Sequence, residues 1–312
     1  MQGAAVTMYD VIIVGAGPAG LTAALYTGRS RLKTLILEKM AVGGRILLTE
    51  TVDNYPGFPG GIGSSELTGR MHEQVQKLDD VEIRAQEVLE LECGAKKVRT
   101  DSAEYAAQSL IIATGAYPRK LNVPGEEMLT GRGVSYCATC DAPFFKEKNI
   151  IVVGGGNSVA EEALYLSRYA RRVTIVHRRD ELRASPLLQE ELRREPKISF
   201  LLSRVVTAIH GGQRVEAVTT REVSTKEEVK VACDGVFIFI GYEPDTNLVR
   251  NKLHLDDGGF IITDRTMGTS QKGVFACGDC CQKTLFQVVT ACAEGAQAAD
   301  SAYKYLSTKG QQ

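Results

Sequence analysis

The chain reads as an α/β protein of two Rossmann-like dinucleotide-binding domains, the second inserted into the first. Three observations lead there. A strand, a glycine-rich turn and a helix follow one another twice, around residues 15–20 and again around 154–159. Two apolar strands, SLIIATG at 109–115 and GVFIFIG at 235–241, each close on a glycine-bearing turn soon followed by proline, at Tyr117-Pro118 and Glu243-Pro244. These read as crossovers between two lobes. The tail then returns to strand and helix, giving expected domains of 1–117 plus 245–312, and 118–244 between them.

Composition bounds the partners. A chain of 312 residues suits about two domains. A net charge of −1 creates no field favouring nucleic acid or an anionic membrane. No run approaches the roughly 18 apolar residues of a membrane-spanning helix. The opening MQGAAVTMYD lacks the basic start and apolar core of a secretory signal, so it reads as a short lead-in, or Met8 as the natural start. A cytoplasmic location follows as the expectation. Most of the cysteines, Cys93, Cys137, Cys140, Cys233, Cys277, Cys280, Cys281 and Cys292, then read as small buried hydrophobes.

In YDVIIVGAGPAGLTAALYTGRSRLKTLILEK, Val11 to Val14 is a β-branched run fit for a buried parallel strand. Gly15, Gly17 and Gly20 follow as GxGxxG, with Leu21, Ala24, Leu25 and Gly28 at helical spacing. Gly15 permits the tight turn, Gly17 lets the backbone approach a pyrophosphate, and Gly20 lets helix and strand pack closely. The helix N-terminus faces the phosphates. Leu35 to Leu37 forms the next strand, and Glu38 at its end suits a bare adenosine ribose.

KNIIVVGGGNSVAEEALYLSRYARRVTIVHRRDELRA repeats the pattern. Ile150 to Val153 is the strand, Gly154 and Gly156 are the first two glycines, and Val159 takes the third position. That substitution predicts a helix set further from its strand, or rotated. The strand Val173 to Val176 ends in His177, Arg178 and Arg179, with Arg183 one turn on. Guanidinium groups bind a ribose 2′-phosphate through paired hydrogen bonds, where a carboxylate would repel it. This site therefore expects NADPH, and the economical partner in the first is FAD. The alternative is a solvated basic patch at a helix start.

In the tail, the strand from Gly273 runs into Gly278-Asp279, a carboxylate suited to flavin ribityl hydroxyls. Residues 287–306 read as a helix with Val289, Cys292, Ala296, Ala299 and Tyr303 on one face. Its positive end suits the negative charge of a reduced isoalloxazine.

SYCATCDAP, at 135–143, fits a metal clip, a structural disulfide or a redox pair. Zinc takes about four ligands and Cys137 with Cys140 supplies two. A second CxxC, Cys277 to Cys280, belongs to the other domain, and His72, His177, His210 and His254 are scattered. No metal site is expected. A static disulfide is disfavoured without an export signal. A redox pair remains, with Cys277 and Cys280 as packed thiols.

Together these segments resemble the low-molecular-weight thioredoxin reductases, a group of flavoprotein disulfide reductases. The matching stretches are GAGPAG at 15–20, GG at 43–44, VDNYPGF at 52–58, ATG at 113–115, CATCD at 137–141, GGGNS at 154–158, HRRDELRA at 177–184 and GD at 278–279, with Gln287. CATCD just before the second nucleotide fold is the most specific. The resemblance implies a homodimer with FAD and NADPH that reduces a thioredoxin-like protein. It assigns Cys140 to the flavin, Cys137 to exchange with the partner's disulfide, Asp141 to protonating a departing thiolate and Asn54 to the flavin ring. Gly44, Thr114, Gly115, Asn157 and Ser158 fall in its cofactor-binding motifs. Asp141 has a second reading, a helix N-cap. Arg45 stands where glutamine is usual and Phe286 where arginine is usual, so side-chain contacts to FAD are expected to differ.

The nicotinamide and the CxxC cannot share one flavin face, and the inserted domain carries both. It is therefore expected to rotate about Pro118 and the stretch 241–244 between half-reactions. The rivals are a dithiol oxidase using oxygen, a reductase fed by ferredoxin or another flavin, and a non-catalytic thiol sensor. The three arginines oppose the first, Val159 leans toward the second, and turnover of a thioredoxin disulfide separates the third.

Overall fold

Short runs of valine, isoleucine and leucine build the strands, and alternate side chains from each run feed opposite faces of a sheet. The computed structural model describes residues 7–48, 51–52 and 54–309. The lead-in at 1–6 and Asp53 of VDNYPGF lie outside the described residues. The chain forms two units, Met1–Tyr117 with Glu243–Gln312, and Pro118–Tyr242. It passes between them through Ala116–Pro118 and Tyr242–Pro244, which pair as a two-stranded sheet.

The first unit begins with β1 (Thr7–Val14), α1 (Pro18–Arg29) and β2 (Thr34–Glu38), then α2 (Ser64–Gln76), β3 (Val81–Ala85), β4 (Val88–Glu92), β5 (Lys97–Thr100) and β6 (Glu104–Ile112). The sheet order is β3-β2-β1-β6-β5-β4. Strands β3, β2, β1 and β6 run parallel, β5 pairs antiparallel with β6, and β4 pairs antiparallel with β5. Ile12, Val14, Leu35, Leu37, Leu110 and Ile112 fill one face, and Val11, Ile13, Ile36 and Ile111 the other, where α1 packs.

In the second unit, β7 (Val134–Ser135), β8 (Asn149–Val153), α3 (Asn157–Ser167), β9 (Arg172–Val176), α4 (Pro186–Arg194) and β10 (Ile198–Leu201) precede a three-stranded antiparallel sheet. That sheet is β11 (Arg204–His210), β12 (Ala217–Glu222) and β13 (Glu228–Ala232), and β14 (Gly235–Ile238) follows. The parallel sheet is ordered β7-β14-β8-β9-β10. Ile150, Val152, Val173 and Ile175 pack on Val159, Ala163 and Leu166 of α3. Ile151, Val153 and Val176 face Val206, Ile209 and Val218 of the antiparallel sheet.

The first unit closes with β15 (Val274–Ala276), parallel to the second half of β6, and α5 (Val288–Lys309). The buried face of α5 is Ala291, Ala298, Ala299 and Ala302, against α1. Val289 and Tyr303, expected on one face with Ala299, are 41% and 44% exposed. Gly295 sets the true face: a Cβ there would lie 2.2 Å from the Ala19 carbonyl oxygen, so the two helices nearly touch backbones at that point.

Candidate active site

At the C-terminal end of β1 the chain must turn sharply into α1. Gly15 adopts φ +104°, and a Cβ on it would sit 2.4 Å from Ala113 O. Gly17 is the N-cap of α1, with Pro18 opening the helix. A Cβ on Gly20 would lie 1.9 Å from Gly15 O, so only glycine lets α1 approach the turn this closely. Gly43 N–H donates to Ala16 O (2.9 Å), which brings the Gly43-Gly44 loop over the same turn. Gly44, at φ +68°, faces Gly17: its Cβ would come within 2.9 Å of Gly17 Cα. Glu38 lies beside them. Its Oε2 accepts from Ala16 N–H (2.8 Å) and its Oε1 from Met40 N–H (3.0 Å).

Distant segments complete this rim. Thr114 Oγ1 donates to Asp245 O (2.6 Å), and Asp245 N–H donates to Gly115 O (3.0 Å). Asn54 Nδ2 donates to Gln287 Oε1 (2.9 Å), joining two residues 233 apart in sequence at the start of α5. Arg45 donates to Ala116 O and to Asp279 Oδ2, the latter at 3.0 Å. Asp279 Oδ1 is buried and lacks a hydrogen-bond partner among the described residues. These features fit a flavin dinucleotide: bare glycine backbone at a helix N-terminus for phosphates, a carboxylate at the strand end for a ribose, and a buried acceptor awaiting a hydroxyl.

The second unit repeats the turn with one change. Gly154 takes φ +140°, and Gly156 is the N-cap of α3 with open space where a Cβ would stand. Val159 is fully buried, and its Cγ2 would lie 2.6 Å from a Cβ on Gly154. The valine side chain thus occupies room that a bare Gly154 leaves. Asn157 Oδ1 accepts from Ser185 N–H (2.8 Å), and Arg183 N–H donates to Gly155 O (2.7 Å), tying the basic segment to the glycine turn. Ser158 is exposed in the first turn of α3. Arg178, Arg179 and Arg183 are exposed together, which fits a nucleotide 2′-phosphate. His177 differs: it is buried under Gly155, with Nε2 lacking a partner among the described residues. Burial, then the three arginines, hold its pKa below the ordinary value. Its ring packs against this turn.

Cys137 and Cys140 are joined as a disulfide, their Cα atoms 5.4 Å apart. Cys137 caps the one-turn helix Ala138–Asp141, and its Sγ accepts from Cys140 N–H (3.2 Å). The same N–H would stabilise a thiolate on Cys137. Asp141 precedes the turn Ala142–Phe145 without making a side-chain cap bond to it. Its Oδ2 instead accepts from Ser135 Oγ (2.5 Å), which itself accepts from Cys137 N–H (3.1 Å). Ser135 is a site residue that sequence reasoning passed over. Lys283 and Glu294 are two more: Lys283 Nζ lies 3.6 Å from Asp279 Oδ1 and 2.6 Å from Glu294 Oε2. Cys277, Cys280 and Cys281 are buried. Among the described residues no group of three or more His, Cys, Asp or Glu could hold a metal, and no helix is long and apolar enough to cross a membrane.

Two dinucleotide turns and a CxxC disulfide agree with a family match spanning residues 9–295, to pyridine nucleotide-disulphide oxidoreductase. The chain belongs to the pyridine nucleotide-disulphide oxidoreductase family. Within this family it is 46% identical to the thioredoxin reductase of Peptoclostridium acidaminophilum over 306 residues, 96% of this chain and 97% of that one. It is also 46% identical to the thioredoxin reductase of Bacillus subtilis, across 96% of this chain and 95% of that one. A crystal structure of thioredoxin reductase from Streptococcus pyogenes is 44% identical, covers 97% of this chain and 99% of its own, and superposes with a TM-score of 0.90. Membership implies electron transfer involving a flavin and a nicotinamide nucleotide.

Proposed function

We propose that the chain uses NADPH to reduce the disulfide of a thioredoxin-like protein through FAD and the Cys137–Cys140 pair. The observation that carries this is a cysteine pair joined as a disulfide in a chain with two dinucleotide turns. The exposed arginines after β9 support NADPH in the second unit, and the Glu38 carboxylate supports FAD in the first. Family resemblance supports a homodimer and the reduction of thioredoxin in particular. The even charge balance gives no reason to invoke nucleic acid or a membrane.

When bound, the flavin supplies two-electron storage between a nicotinamide and a disulfide. Gly15, Gly17, Gly20 and Gly44 admit its phosphates, Glu38 its adenosine ribose and Asp279 its ribityl chain. Thr114, Gly115 and Gly278 shape the adjoining turns, and the Asn54–Gln287 pair takes the ring. Gly154, Gly156, Asn157 and Ser158 cradle the nicotinamide nucleotide, and Arg178, Arg179 and Arg183 grip its 2′-phosphate. Two electrons and two protons convert the Cys137–Cys140 disulfide to a dithiol. Cys137 as thiolate then attacks the partner's disulfide, and Cys140 resolves the mixed disulfide, releasing the partner as dithiol and restoring the pair. Asp141, held by Ser135, is the acid that protonates the departing thiolate. The inserted unit turns about Pro118 and residues 241–244 between the two half-reactions.

Stopped-flow reduction of the purified chain by NADPH or NADH, then mixing with thioredoxin disulfide, tests the reading. Flavin bleaching by NADPH followed by thioredoxin dithiol formation is expected. Flavin that stays oxidised with NADPH under anaerobic conditions but is bleached by a dithiol would point to the dithiol oxidase instead.

A further inference from the structure

The departure at Arg45 is part of a larger arrangement around the Gly278-Asp279 turn. Arg45 comes from a 3-10 turn at Gly44–Leu48, Lys283 from the loop after β15, and Glu294 from α5. Their charges alternate along a chain: Arg45 to Asp279 Oδ2 at 3.0 Å, Asp279 Oδ1 to Lys283 Nζ at 3.6 Å, and Lys283 Nζ to Glu294 Oε2 at 2.6 Å. The Lys283 side chain is only 8% exposed, and these two carboxylates are the ion-pair partners of its buried ammonium among the described residues. Both ends of the chain grip backbone. Glu294 Oε2 accepts from Gly278 N–H (2.8 Å), and Arg45 donates to Ala116 O. Gly278 holds φ +80°, with no room for a side chain because Ala19 Cβ would lie 2.8 Å away. The consequence falls on Asp279. Arg45 occupies Oδ2, Lys283 stands beyond hydrogen-bond distance of Oδ1, and Oδ1 is the buried acceptor left over.

We propose that Arg45, Lys283 and Glu294 are positioning residues which act as one unit to aim Asp279 Oδ1 at the ribityl hydroxyls of FAD. This rests on the flavin reading above and adds the residues that set its affinity. The chain orients the carboxylate before the cofactor arrives, so little ordering remains at binding. Arg45 performs the part of this that a neutral glutamine could not, because it brings a positive charge to the carboxylate while also donating to the Ala116 carbonyl.

ADP separates this role from general damage, because it carries the phosphates and adenosine of FAD without a ribityl chain. The full-length chain is stripped of flavin and titrated with FAD and with ADP by calorimetry. Arg45→Gln should weaken FAD about 10-fold while changing ADP less than about 2-fold, and Arg45→Lys should recover part of the loss. Glu294→Gln should shift FAD in the same direction, and it carries the test alone if Arg45→Gln does not fold. The double variant should be no more than about twice as weak as the worse single, because residues acting as one unit are not additive. Equal weakening of FAD and ADP, unchanged FAD affinity in Glu294→Gln, or multiplied losses in the double variant would each overturn the proposal. A native chain that takes ADP but no FAD would overturn the flavin reading itself, and the inference with it.

Discussion

A single methyl group added at Gly20 probes how the first unit makes its dinucleotide turn. In Gly20→Ala the new Cβ would stand 1.9 Å from Gly15 O and 3.0 Å from Gly15 C. Ordinary contact begins near 3.4 Å, so the overlap with the oxygen is roughly 1.5 Å. The opposing atom is backbone, so no side chain can rotate away. Helix α1 must move off β1, and it carries Gly17 and the phosphate-facing N–H groups with it. Overpacking of this size costs about 3 kcal/mol or more. At about 2 °C per kcal/mol for a chain of this size, the melting temperature should fall by roughly 6 °C or more. The flavin content of the purified variant, read from its visible absorbance, should fall with it. The matching position in the second unit, Val159, is a filled site and not a close approach, so Val159→Ala should destabilise by leaving a gap of about two methyl groups while flavin content stays full. A Gly20→Ala protein with full flavin and an unchanged melting curve would refute the close-packing argument.

Replacing Arg178 and Arg179 together by alanine should raise the KM for NADPH at least about 10-fold more than that for NADH, since paired guanidinium contacts to a phosphate are strong; equal effects would remove the 2′-phosphate argument. Ser135→Ala removes the hydroxyl that orients Asp141, so thioredoxin reduction should slow by about 3- to 10-fold with flavin bleaching by NADPH unchanged, an inference from the loss of one hydrogen bond; a loss in both steps would count against it. Burial, then the neighbouring Glu161, push the Glu162 carboxyl up from 4.5 to about 7. The folded chain therefore holds a proton there that the unfolded chain has released, so this contribution to stability is full below pH 4.5 and lost as pH rises through about 7. Glu162→Gln should flatten that part of the melting profile and raise the melting temperature at pH 8; an identical profile would show that the carboxyl does not titrate in that window.

Local constraints were legible in the sequence because they act over a few residues. The glycine turns, the strands around them and the CxxC each carry their own short-range signature, and Gly15, Gly17, Gly20, Gly154 and Gly156 stand where that signature puts them. The partners of those turns were not legible. Arg45 and Asp279 lie 234 residues apart, and Ser135 and Glu294 are ordinary residues until the fold brings a carboxylate or a backbone N–H to them. The face of α5 was misread for a different reason. Its sequence, VVTACAEGAQAADSAYKYLSTK, is dense in alanine, so the hydrophobic period is shallow and the larger Val289 and Tyr303 dominate it. Close approach at Gly295 selects the small residues for burial and turns the large ones outward. His177 shares a segment with three exposed arginines, yet it is buried beneath Gly155, a placement that its neighbours in sequence do not announce.

The most direct measurement follows thioredoxin dithiol formation by the native chain and by Cys140→Ser, anaerobically, with NADPH as the sole reductant. Native protein should yield one dithiol per NADPH consumed, and Cys140→Ser should yield none while its flavin still bleaches. A Cys140→Ser chain that continues to make dithiol, or a native chain that stays colourless after reconstitution with FAD, would contradict the account at its centre.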